Sequence, residues 1–363
     1  MRAEALMTIW MFRMLIARCL RLRIGVFVAL CFVSHPALSA GDDFCQPPAT
    51  VSKVYAANPV LAYLVMAVAP DKLAGWNFPP PPQAKGIFSE ASFQLPVIGG
   101  WFGQGRTPNM EVLLANQPDL IVMSGATVHL SRQQTLKDLG VPVCQLQLDV
   151  LSDYPLGFRR LGQWLGVPER GEALAQAAER VLTLQAQRRD LLAASGVPVK
   201  TVYYAESPNG LATECRGSIH SEVIPLAGGL NPHICPSDSA QQSRFGKVAI
   251  NFEQLLKYDP DAIVTQERRF YDKVYLDPKW ANLKAVRNQQ VFFMPQTPFR
   301  WMDRPPSFMR LLASQWLMNR LYGDQMRIDM AVQVKSFYQQ FFQVTLTDVQ
   351  VSNILGGGTL NGR

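Results

Sequence analysis

Apolar residues along this chain fall into short runs of four to eight, separated by stretches in which they recur every third or fourth position. The runs at 51–56, 120–123, 141–148, 199–205, 262–265 and 290–294 are rich in Val, Ile, Tyr and Phe and are bounded by Pro, Gly, Asn or Asp, which predicts strands. Helical spacing appears between them, at 59–68 and 221–227 for example. Alternating strands and helices predict an α/β fold whose parallel sheets are covered on both faces.

One segment occurs twice. Asn109-Met-Glu-Val-Leu-Leu-Ala-Asn-Gln-Pro-Asp-Leu-Ile-Val122 aligns without gaps on Asn251-Phe-Glu-Gln-Leu-Leu-Lys-Tyr-Asp-Pro-Asp-Ala-Ile-Val264, with eight of fourteen positions identical and an offset of 142 residues. Each copy reads as a short helix, a Pro-Asp break and a buried strand, so the chain predicts two similar lobes. Between the lobes, residues 169–195 hold no Pro and only Gly171, with Leu174, Ala178, Val181, Leu184 and Leu192 spaced for one apolar face. At 1.5 Å per residue this helix is about 40 Å long. Pro168 marks its start, and Gly196 and Pro198 its end. The predicted organisation is an N-terminal lobe over 46–167, the linker helix over 168–196, a C-terminal lobe over 197–345 closing with helices at 308–322 and 327–342, and a flexible tail over 346–363. A rigid connection of this kind implies a largely preformed cleft between the lobes.

The 363 residues are 48% hydrophobic, which excludes disordered, collagen-like and small disulfide-scaffold classes. The net charge of +7 is unevenly spread. Residues 1–40 carry five Arg against one Glu, so the rest of the chain is only +3 and has no basic run, which argues against a nucleic-acid partner. Those 40 residues read as an export signal: an Arg-rich stretch, ten mostly apolar residues at 24–33, then a small-residue segment ending at Ala40. Met14 is an alternative start. Cleavage leaves Cys45, Cys144, Cys215 and Cys235 in an oxidising compartment, where three pairings are open. Cys45–Cys144 with Cys215–Cys235 is favoured because each pair then stays within one lobe; the alternative is that some remain buried thiols.

Export signal, tandem α/β lobes and rigid helical linker together resemble the class III substrate-binding proteins of ABC importers. The resemblance spans about residues 50–345. It rests on Gly103-Gln-Gly105 before Asn109-Met-Glu111 and Pro118-Asp119, on Asn251-Phe-Glu253 with Pro260-Asp261, on Tyr204-Ala-Glu-Ser-Pro-Asn-Gly210 followed by Leu226-Ala-Gly-Gly-Leu-Asn231, and on Phe299-Arg-Trp-Met-Asp-Arg-Pro-Pro-Ser307. It implies a periplasmic, monomeric protein without prosthetic group. Its cargo would be a ferric siderophore first, a nickel or other metal chelate second, and haem or cobalamin third. Glu111 and Glu253 match the acidic positions that pair with arginines of the membrane permease in that family. Their alternative role is as first-turn glutamates favoured by a helix dipole.

In parallel sheets ligands bind beyond the carboxyl ends of the strands, which directs attention to Asn58, 124–129, 204–209, 266–269 and 296–304. Tyr204 and Glu206 lie in this set. His129 and His220, one per lobe, are candidate contacts to a metal chelate through neutral imidazole. Trp76, Trp101 and Trp301 sit in loops and are candidate apolar walls, Trp301 first, while Arg300 and Arg304 are candidates for holding an anionic chelate. His233 is expected to stabilise a loop. A secreted hydrolase is the competing class, but no G-x-S-x-G, H-E-x-x-H or G-x-x-x-x-G-K-[ST] pattern is present, and the neighbours Ser218 and His220 make no triad by proximity in sequence. The expectation is therefore a binding protein and not an enzyme.

Overall fold

A computed structural model describes residues 45–101, 107–125, 139–236 and 246–356. Gly103, Gly105 and His129 lie outside the described residues. In the first lobe, strand β1 (Val54–Ala56) leads into helix α1 (Pro59–Val68), and helix α2 (Met110–Asn116) leads into β2 (Leu120–Ser124); β3 (Val143–Leu146) and α3 (Tyr154–Trp164) follow. The sheet order is β1-β2-β3, all parallel, with Val54 opposite Leu120 and Ile121 opposite Val143. Helix α4 (Pro168–Ala194) crosses to the second lobe. There β4 (Val202–Ala205), the short pair β5 (Ala212–Thr213) and β6 (Val248–Ala249), α5 (Val223–Leu226), α6 (Phe252–Tyr258), β7 (Ala262–Thr265) and β8 (Val291–Phe293) form a second parallel sheet, β4-β7-β8, plus a two-stranded antiparallel one. Helices α7 (Arg310–Tyr322), α8 (Met330–Phe342) and α9 (Asp348–Gly356) complete the described residues.

Both copies of the repeat occupy equivalent places: each supplies a helix and the central strand of its sheet. The repeated residues have matching structural work. Asn109 and Asn251 cap their helices, accepting from the backbone N–H of Glu111 and Val112 (3.1 and 3.2 Å) and of Gln254 (2.7 Å). Leu113 and Leu255 are buried. Asp119 Oδ2 accepts from Ser52 and Lys53 N–H at 2.7 and 2.8 Å, and Asp261 Oδ2 accepts from Thr201 N–H and Oγ1 at 2.8 and 2.9 Å. Each aspartate thus pins the entry of its lobe's first strand to its central strand. Asp119→Ala is expected to lower stability by about 2 kcal/mol, the usual scale for hydrogen bonds to a charged acceptor. A shifted urea midpoint with unchanged slope would show it.

The linker helix meets α3 at a backbone crossing: a Cβ on Gly171 would stand 2.6 Å from the Phe158 carbonyl oxygen, so only glycine permits the contact. Leu174, Ala178 and Leu192 face the core as expected, but Leu184 is 43% exposed. Toward that end the helix is attached through polar groups, with Gln185 Nε2 and Arg189 Nη1 donating to the Leu226 carbonyl at 3.4 and 3.1 Å.

The expected tail over 346–363 needs correction up to residue 356, and residues 357–363 lie outside the described residues. Residues 348–356 form α9, with Val351 and Ile354 buried against the core. Thr347 and Gln350 form a reciprocal cap, Gln350 Oε1 accepting from Thr347 N–H at 2.8 Å and Thr347 Oγ1 from Gln350 N–H at 3.3 Å. Thr347-Asp-Val-Gln350 is a capping-box pattern, a start signal that the following glycines obscured.

Candidate functional site

Beyond the C-terminal ends of β4, β7 and β8, the second lobe buries a dense cluster of charge. Glu206 directly follows β4, Glu214 follows β5, His220 lies in the turn Ile219–Ser221, and Asp303 and Arg304 lie between β8 and α7. Glu206, Glu214 and Asp303 are 2%, 0% and 0% exposed. Arg304 joins all three: Nε is 2.8 Å from Glu206 Oε1 and 3.4 Å from Asp303 Oδ2, and Nη2 pairs with Glu214 Oε1. Its φ of 58° is a left-handed conformation, costing about 1 kcal/mol, that the ion pairs offset. Lys247 Nζ adds a contact to Glu206 Oε1 at 3.2 Å.

The neighbours of each acid in this cluster set its protonation. Burial, with Glu206 and Asp303 alongside, pushes the Glu214 carboxyl up to about 9 despite Arg304, so it is neutral at pH 7. Burial also disfavours ionisation of Asp303, but the His220 imidazole and the Arg304 guanidinium outweigh it and hold that carboxyl below its usual range.

An ionised Asp303 can only accept, so its contact with His220 Nδ1 places the proton on that nitrogen. Nε2 has no hydrogen-bond partner among the described residues, and with the Nδ1 proton held by Asp303 it is the nitrogen that offers a lone pair to a metal. Glu214, His220 and Asp303 each offer a ligand atom within 4.8 Å of the others. Because the two acids are already engaged by Arg304, Ser218 and His220, the group an incoming metal would meet is the imidazole. A carboxylate that orients a histidine for a metal is a recurrent arrangement.

Other sequence candidates fall into place differently. Tyr204 is 1% exposed, its hydroxyl accepting from Gln266 Nε2 at 2.9 Å, and Gln266 also donates to the Asp303 carbonyl at 3.1 Å. Trp301, Trp76 and Trp101 are 0%, 2% and 3% exposed, which corrects the expectation of open aromatic walls. The Trp301 indole N–H donates to the Thr297 carbonyl at 2.6 Å, and that of Trp76 to the Ser92 carbonyl at 2.7 Å. The aromatic that the 299–307 loop does present to the other lobe is Phe299, stacked on Tyr63 with centroids 3.7 Å apart. Arg304 is committed inward. Among the described residues Arg300 is held only by a loose 3.8 Å contact with Glu267, which leaves its guanidinium freer than that of Arg304.

Sequence reasoning missed Glu222 and Arg310. Arg310 is wholly buried, pairs with Glu222, and donates to the Ile219 and Ser307 carbonyls at 3.1 Å and to the Tyr154 hydroxyl at 3.3 Å. Glu222 in turn accepts from Leu151 N–H at 2.9 Å, so this pair ties the His220 turn to the first lobe. Nothing in the sequence distinguishes these two residues from surface charges.

Glu111 and Glu253 are exposed and make no ion pair or side-chain hydrogen bond among the described residues. The flanking backbone locates them. Asn109 N–H bonds the Ile98 carbonyl while Trp101 N–H bonds Ala57 just past β1, and Ile250 N–H bonds Leu211 while Ala212 pairs with Glu206 just past β4. Both glutamates therefore begin their helices near the carboxyl ends of the strands of their sheets. One turn on, Leu114 and Leu256 are 53% and 43% exposed, so each lobe presents the same acid-plus-leucine pair. A groove of about 670 Å³ lined by Lys200, Asp261, Lys284, Gln290, Arg320 and Asp324 lies at the opposite end, where the strands of the second sheet begin.

Comparison with known proteins agrees with this architecture. A family model described as periplasmic binding protein matches residues 101–298, more than half the chain, and the chain belongs to that family. The solved ABC transporter solute binding protein from Sulfurospirillum deleyianum is 34% identical, with a TM-score of 0.76 over 85% of this chain and 95% of that one. The molybdate-binding protein MolA of Haemophilus influenzae is 24% identical over 67% of this chain and 72% of its own length. A vitamin B12-binding protein of Vibrio cholerae is 27% identical over 55% and 67%. The chain is thus a two-lobed binding component of ABC importers, acting in the periplasm, and not an enzyme.

Proposed function

We propose that this protein captures a metal chelate, a ferric siderophore first and a nickel or similar chelate second, and delivers it to an inner-membrane permease. The observation that carries this reading is the Asp303–His220 pair with its uncommitted Nε2. An imidazole fixed in that tautomer fills one vacant coordination position on a chelated metal, so it selects chelates that leave one open. Arg300 would supply attraction to a carboxylate-rich chelator. The relatives that bind molybdate and vitamin B12 keep an oxyanion and a cobalt chelate as the competing cargoes. Removal of residues 1–40 on export belongs to the same reading, and the intact mass of the periplasmic form checks it.

Native mass spectrometry of the mature chain with Fe³⁺ and Ni²⁺ chelates, haem, cobalamin and molybdate provides the test. A tetradentate Fe³⁺ or Ni²⁺ chelate is expected to give a stable 1:1 complex, weakened by about tenfold or more in His220→Ala. Binding of cobalamin or molybdate alone, untouched by His220→Ala, would overturn the chelate reading.

A further inference from the structure

A second constellation of ligating groups lies outside the charged cluster. Cys215 and Cys235 are bonded to one another, and a ring nitrogen of His233 lies with both sulfurs inside a 4.8 Å group. The His233 side chain is more than a loop brace. Its Nδ1 meets the Tyr258 hydroxyl at 2.8 Å, whereas Nε2 is buried with no hydrogen-bond partner among the described residues, in a residue only 9% exposed. A buried nitrogen without a partner carries a desolvation penalty that a bound ligand would remove.

Backbone and side-chain hydrogen bonds, independently of the disulfide, hold these residues together. Arg216 N–H donates to the His233 carbonyl at 2.7 Å, Arg216 Nε to the Asn231 carbonyl at 2.7 Å, Asn231 Nδ2 to the Glu214 carbonyl at 2.9 Å, and His233 N–H to Asn231 Oδ1 at 3.0 Å. Opening the S–S bond therefore leaves both sulfurs near the imidazole. Cys235 is partly exposed, which gives a thiol reagent access.

We infer that the reduced Cys215–Cys235 pair and His233 form a site for a soft or borderline cation such as Zn²⁺ or Cu⁺, and that the disulfide closes it. A dithiol attacks the bridge through a mixed disulfide; two electrons and two protons pass to the cysteine sulfurs while the dithiol becomes a disulfide. The cation then displaces both thiol protons and takes two thiolates and one imidazole, with a water in the fourth position. Tyr258 acts as a positioning residue: accepting from Nδ1–H, it leaves the Nε2 lone pair for the metal.

Co²⁺ serves as the probe, because thiolate ligation gives an intense near-ultraviolet charge-transfer band. The mature protein is reduced with a dithiol, desalted without oxygen and titrated, beside oxidised protein and a Cys215→Ser/Cys235→Ser variant. The expected result is a 1:1 thiolate band in the reduced wild type that is absent from both controls, with affinity lowered about tenfold or more by His233→Ala and less by Tyr258→Phe. Because the oxidised His233→Ala protein keeps its cross-link, its circular dichroism separates a lost ligand from a lost fold. No thiolate band in the reduced wild type, the same band in the double-serine variant, or full affinity in a folded His233→Ala protein would each overturn the assignment.

Discussion

Arg304→Met is expected to destabilise the folded protein by about 3 kcal/mol, the lower part of the range for breaking a buried ion pair. The lower part applies because Glu214 is already neutral at pH 7 and Lys247 continues to compensate Glu206, leaving Asp303 as the acid that loses its cation. The same cluster sets the pH dependence. The Glu214 pKa is raised on folding from 4.5 to about 9, so its contribution is complete below pH 4.5 and is lost as pH rises toward 9. Over that window stability should fall by at most about 1.4 kcal/mol per pH unit from this group. Asp303 acts oppositely: its lowered pKa stabilises the fold above the ordinary carboxylate range and that contribution is lost in acid. Urea midpoints at pH 5, 7 and 9 test both statements. Glu214→Gln should flatten the profile on the alkaline side, and an unchanged slope in that variant would refute the assignment of a neutral Glu214.

Reversing both docking candidates, Glu111→Lys with Glu253→Lys, is expected to abolish uptake while cargo affinity of the purified protein stays within about twofold. Rim charges act on encounter and register with a partner more than on the stability of the chain that bears them. The structure gives this expectation a specific ground. Every other identical polar residue of the repeat caps a helix or pins a strand, whereas the two glutamates have no internal partner among the described residues. Helix dipoles could favour an acid in each first turn, but that alone predicts a modest change in stability and normal transport from the double variant. Transport assays in cells, paired with binding measurements on the same variant, decide between them. Leu114→Ser with Leu256→Ser should impair uptake less, as the apolar part of the same two faces.

The sequence by itself determined the parts of this protein that depend on local chemistry. Short β-branched and aromatic runs are buried strands because only a fully covered parallel strand tolerates them, and the repeat fixed two equivalent lobes because Asn, Leu, Pro-Asp and Ile-Val each perform one local task twice. Residues 169–195 had to be a long helix for want of any breaker. The elements observed are shorter than the apolar runs, β1 holding three residues and β8 three, since pairing partners and not apolarity end a strand. Tertiary structure alone decided the site. Tryptophans in loops read as ligand walls, yet Trp301 and Trp76 found backbone carbonyls for their indole N–H groups and became core. Arg304 read as a cargo ligand, but three acids from segments about 90 residues away and from its own neighbour turned it inward. His220 acquired its chemistry from Asp303, 83 residues along the chain, because a carboxylate selects a tautomer only through contact, and contact between distant segments is set by packing and not by sequence spacing.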